Sequence, residues 1–149
     1  MSKFLLSVHV VAAILAIGPV AVATSMFPAA ARTAIRTDDD EQATAAARLL
    51  HRITYVYTVI GLVVPVFGLA TAASLGVLGQ AWLLVSIAIT ALAAAVLVVL
   101  ILPAQRLALA GVDRATSRLA MQTGMFNLLW VAVVVLMIVR PGSTTGVGL

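Results

Sequence analysis

This sequence predicts an all-α polytopic membrane protein, a bundle of four transmembrane helices, on three observations. Long stretches without a charged residue, 4–31, 53–105 and 119–139, occupy most of the 149-residue chain. Hydrophobic residues make up 63% and charged residues 9% of the composition, whereas soluble domains carry about 25% charged residues. The basic residues gather in short connections between the apolar stretches rather than in one continuous patch. An apolar helix of about 20 residues crosses the ~30 Å hydrocarbon core, so the middle stretch is long enough for two passes.

The first helix is placed at 4–30. Lys3 followed by an apolar run and Ala21-Val22-Ala23 imitates a secretory signal, but the run continues to Ala31, longer than a signal's hydrophobic region, so the helix is expected to be retained. A connection follows at 32–52. Its acidic run, Thr37 to Glu41, precedes an Ala-rich segment, and acids at the start of such a segment favour a helix N-terminus, which predicts a helical extension ahead of the second span. A calcium loop is the sharper reading of Asp38, Asp39 and Asp40, but adjacent acids lack the alternating ligand spacing of such loops.

The second helix is placed at 53–75 and the third at 81–102, with Gly76 and Gly79 supplying the reversal between them. Pro103 is expected to end the third helix. The fourth runs over 119–139 and is stopped by Pro141, leaving 141–149 as a flexible tail. The whole chain, 1–149, reads as a single transmembrane domain.

The basic residues orient the bundle. Arg32, Arg36, Arg48 and Arg52 lie in the first connection and Arg106, Arg114 and Arg118 in the last, which together make seven of the nine basic residues. The positive-inside rule places these in the cytoplasm, and both termini with the turn at 76–80 outside. Trp82 is expected to anchor at the outer interface, and Tyr55 and Tyr57 near the inner one. The net charge of +4 is therefore a topology signal, and no nucleic-acid partner is expected. Every basic residue but Lys3 is arginine, and Ala and Val are abundant, which suits a GC-rich bacterial genome, so the expected location is the bacterial cytoplasmic (inner) membrane.

Within the spans, Pro19 and Pro65 are expected to kink their helices, because proline removes a backbone donor and frees the carbonyl four residues earlier. Hinges of a transporter would use such kinks; the plainer reading is shape adaptation. The second helix carries the most ordered pattern in the chain: His51, Thr54, Thr58, Gly61, Pro65, Gly68 and Ala72 alternate spacings of three and four. Small and hydroxyl-bearing residues on one face let another helix approach closely, so this face is a predicted helix-packing seam. His9, Ala12, Ala16, Pro19, Ala23 and Ala30 make a similar seam on the first helix, and Ala120, Gly124 and Asn127 on the fourth.

The histidines are the remaining chemistry. His9 near one end of its span and His51 near the opposite end of the next are too far apart to share one haem. Met137 is the soft partner at the depth of His9, so His9 with Met137 is the pairing that would permit haem ligation. The plainer role for His9 is a hydrogen bond to a neighbouring helix, so no cofactor is expected. The chain has no cysteine, which excludes thiolate metal sites, disulfides and thiol nucleophiles. No catalytic residue or metal site stands out. No Asp, Glu, Lys or Arg falls inside a predicted span, and that argues against an ion-coupled pump.

The opening Leu5-Leu6-Ser7-Val8-His9-Val10-Val11-Ala12-Ala13-Ile14, with Gly18 nine residues after the histidine, and the closing Leu136-Met137-Ile138-Val139-Arg140-Pro141 resemble a bacterial family of four-helix integral membrane proteins of unassigned function. The first helix is also distantly similar to four-helix membrane protoporphyrinogen oxidases and copper-resistance membrane domains, which place a histidine early in a span. This chain departs from both in lacking further histidines in the spans and dense methionines. The resulting expectation is a small structural or accessory membrane protein. Its partners would be the lipid bilayer and a larger membrane complex or further copies of itself. The alternatives are a haem-associated redox protein using His9, and a small transporter or channel.

Overall fold

The first span is one helix, α1, over Ser2–Arg36 in the computed structural model, which describes residues 2–37 and 41–142. The acidic residues 38–40 and most of the expected flexible tail, 143–149, lie outside the described residues. α1 passes through both Pro19 and Pro28 without a break and continues beyond the expected end at residue 30. Nothing between Ala29 and Arg36 stops a helix, and the hydroxyls of Thr33 and Thr37 bond back to the carbonyls of Ala29 and Thr33. Pro28 has no N–H for the Thr24 carbonyl. The hydroxyl of Thr123, on the last helix, donates to that carbonyl instead at 3.4 Å.

The second span is α2 over Glu41–Gly61 followed by α3 over Val63–Leu75. The chain between the first two spans is thus mostly helical, and α2 starts well before residue 53, with Glu41 in its first turn. The break falls at Leu62, three residues ahead of Pro65. Pro65 cannot donate to the Gly61 carbonyl, and the Leu62 N–H divides between the carbonyls of Thr58 and Val59 at 3.2 and 3.3 Å. α3 ends at Gly76, whose φ of 68° lies in the left-handed region that glycine enters without a Cβ penalty.

Pro103 does not end the third span. α4 over Ala81–Ala95 runs into a π-helical turn, Val96–Ile101, and then into α5 over Leu102–Leu109. Pro103 sits in the first turn of α5, directly after the widened turn, where its missing donor is tolerated. The fourth span, α6 over Asp113–Val139, also starts earlier than expected, so Arg114 and Arg118 lie on the helix rather than in a loop. The Thr116 hydroxyl donates to the Asp113 carbonyl at 2.7 Å within its first turn. Arg140 closes α6 with φ at 44°, immediately ahead of Pro141.

The described residues are helical throughout apart from short turns, with no strand among them. Four helical stretches are long and apolar enough to cross a membrane: α1, α2 with α3, α4 through α5, and α6. α1 lies between the second span and α6, α6 packs on α4 and α5, and α5 closes against α2. The core is built on small residues facing large ones. Ala31, Ala47, Ala93 and Ala108 admit close backbone approach beside Val20, Phe27, Ile101, Leu119 and Phe126. Phe126 also meets Trp130 edge to face, with centroids 6.3 Å apart.

A second cluster occupies the end away from the arginine-rich connections: Ala72, Val77, Trp82 and Leu83, with Met137 packed against it. Trp82 is a correction to the expected interfacial anchor, since it is buried rather than presented outward. Its indole N–H donates to the Gln80 side chain, and the Arg140 guanidinium lies 5.4 Å from its ring centroid. A tryptophan can leave the surface when its one polar atom has a partner, and Gln80 supplies it.

Candidate functional site: two histidine struts and a small cavity

Each histidine ties its helix to another. On α1, His9 Nδ1 lies 3.2 Å from the carbonyl oxygen of Val64 on α3. A carbonyl only accepts, so Nδ1 is the donor in this bond. The imidazole fits because Gly68, one turn on from Val64, has no side chain. A Cβ built on Gly68 would stand 2.8 Å from His9 Cε1.

On α2, His51 Nδ1 lies 2.8 Å from Gln105 Oε1 on α5. The Gln105 amide nitrogen reaches Thr54 Oγ1 at 3.4 Å, and the Thr54 hydroxyl donates to the Leu50 carbonyl at 2.9 Å. This chain of bonds orients the amide. Thr54 spends its hydrogen on Leu50, so it can only accept from Gln105, which places the amide nitrogen there and the amide oxygen toward His51. His51 therefore donates through Nδ1. Gln105 and Thr54 are fully buried, and a buried carboxamide without such partners would cost about 1–3 kcal/mol.

The predicted packing seam divides at the Leu62 break. Thr54, Thr58 and Ala72 are buried, and His51, Gly61 and Gly68 are half-buried. Pro65 is exposed and Val64 takes the inward place, because the break shifts the phase of α3 relative to α2. Gly61 is less constrained than Gly68: a Cβ there would meet only Ile17 and Ala16 at 3.7 and 4.0 Å, ordinary contact. Pro19 is half-buried, and α1 continues through it.

Of the proposed haem pair, His9 is held on Val64 and Gly68, while Met137 packs against the Trp82 cluster. Among the described residues, no three of His, Asp or Glu gather as a metal site would require.

Gln105 is the residue that sequence reading missed, because it falls at the edge of an apolar stretch just past a proline. The available signal was the run Ala93, Leu97, Ile101 and Gln105, at steps of four that a regular α-helix cannot keep on one face. Asn127 also crosses between helices, donating to Ser25 Oγ at 3.2 Å.

One helical turn beyond His51 and Gln105, toward the arginine-rich end, lies a half-open cavity of about 240 Å3. Ala31 and Ala34 of α1, Thr44 and Ala47 of α2, and Ala108 with Gly111 beyond α5 are among its walls. Compared with known protein families, curated proteins and solved structures, the chain shows no significant match.

Proposed function

We propose that this chain is a structural or accessory protein of a bacterial cytoplasmic membrane, with its termini and the turn at 76–80 outside, working as a subunit of a larger membrane complex or as copies of itself. One observation carries this reading: His9, His51 and Gln105, the most reactive side chains within the bundle, each make hydrogen bonds between helices. The outer surface supports the membrane setting, since Ile14, Leu15, Val66, Val99, Leu128 and Ile138 are all more than 60% exposed. Water would penalise such a surface, whereas lipid is as apolar as these side chains.

The test is purification from the native host in a gentle detergent. A partner retained at fixed stoichiometry through two orthogonal columns, or a defined homo-oligomer, supports the reading. A monodisperse single chain that reconstitutes solute flux in liposomes overturns it in favour of transport.

A second reading, haem association through His9 and Met137, draws on the ring geometry. An imidazole that donates Nδ1–H to a backbone carbonyl has its ring orientation fixed, as metal-ligating histidines commonly do. A Soret band in the purified protein that is lost in His9→Ala would favour it over the accessory role.

A further inference from the structure

The third span changes its pitch where the polar clasp and the cavity meet. Ala93, Leu97, Ile101 and Gln105 are all buried, and they recur every four residues. In a regular helix of 3.6 residues per turn each such step drifts by roughly 40°, so Gln105 would lie roughly 120° off the buried face. The π turn at Val96–Ile101 removes that drift: the Leu102 N–H reaches back five residues to the Leu97 carbonyl. Pro103 supplies the cause, since it has no N–H for the Val99 carbonyl and its ring would crowd it.

Two features depend on this phase. Gln105 reaches His51 and Thr54 because of it, and Ala108 and Leu109, on the same short helix, form one wall of the cavity. Without the extra residue in the turn, α5 would rotate by roughly 100° about its axis. Gln105 would leave the clasp, and Ala108 would leave Ala31 and Ala47.

We propose that α5 is a rotary latch: Pro103 sets its phase through the π turn, the His51–Gln105–Thr54 clasp holds it there, and the wall of the cavity turns with it. The latch rests on helix phase, the hydrogen-bonded clasp and packing, and stands or falls independently of the accessory reading. π turns inside α-helices occur frequently at functional sites, and this one adjoins a helix that forms a cavity wall.

The natural absence of cysteine allows a direct test by thiol cross-linking. One reporter pair, Ala47→Cys with Ala108→Cys, spans the cavity from α2 to α5. A control pair, Ala72→Cys with Leu83→Cys, sits in the Trp82 cluster at the other end of the bundle. Each pair is treated with a short bifunctional maleimide in membranes, in three backgrounds: unchanged, Pro103→Ala and Gln105→Leu.

The latch predicts that cross-linking of the cavity pair slows at least tenfold in both variant backgrounds while the control pair reacts as before. Undiminished cross-linking of the cavity pair in either background overturns the proposal. Should Pro103→Ala lose both cross-links, the bundle itself has failed, and Gln105→Leu, which leaves the wide turn intact, decides. Loss of both cross-links in both variants also overturns it, because the effect would then be global.

Discussion

The imidazole of His9 occupies the volume that a side chain on Gly68 would fill: a Cβ there would lie 2.8 Å from Cε1 and 3.3 Å from Nδ1, the nitrogen that bonds to the Val64 carbonyl. A single methyl group therefore forces the strut between α1 and α3 to move.

Gly68→Ala should destabilise the bundle by about 1–3 kcal/mol, the usual cost of overpacking a close contact, and Gly61→Ala should be close to neutral. Thermal unfolding of both variants in one detergent measures the difference. Leu62→Ala, at an exposed position, is the reference. Equal midpoints for Gly68→Ala and Gly61→Ala would mean that His9 has room to step aside.

His9→Ala should leave the protein folded and cost about 0.5–1.5 kcal/mol, the net worth of one hydrogen bond. The change reads out in the same unfolding assay, with an absorption spectrum of both proteins. A variant unable to assemble would make His9 a keystone rather than a strut.

Thr123→Val removes the donor that serves the Thr24 carbonyl, the group left open by Pro28. The cost expected is about 1–3 kcal/mol, because an unsatisfied buried acceptor bears its full desolvation penalty. In a Pro28→Ala background the backbone N–H of residue 28 returns to that carbonyl, so the same Thr123→Val change should cost much less. An equal cost in both backgrounds, read as a double-mutant cycle, would remove the link between the proline and the threonine.

Orientation is tested with single cysteines at Gly79 and Thr37, in opposite connections of the bundle. An impermeant thiol reagent applied to intact cells should label position 79 and spare position 37, because arginines flank the connection that holds Thr37 and not the turn that holds Gly79. The reverse pattern would invert the proposed topology.

Four long apolar helices were legible from the sequence because that property is local: charge-free length and glycine placement mark the spans without reference to neighbours. The small-residue face at Thr54, Thr58 and Ala72 was legible for the same reason, as a period written along one helix. The ends were less legible. Arg32 to Arg36 and Arg114 to Arg118 read as loop by their charge, yet charged residues do not break helices, and α1 and α6 run through them.

What tertiary structure alone decided concerns partners and phase. A proline announces a freed carbonyl but not the group that will serve it, and Thr123 lies 99 residues from the carbonyl it reaches. Pro103 read as a stop because the local rule is that proline ends a helix. The bundle overrode it, since a widened turn that keeps Ala93, Leu97, Ile101 and Gln105 buried gains packing and a clasp that a terminated helix would forgo. The pairing of His9 with Gly68 and of His51 with Gln105 rests on which helices lie side by side, a choice made by summed packing over all four spans and recorded at no single position of the chain.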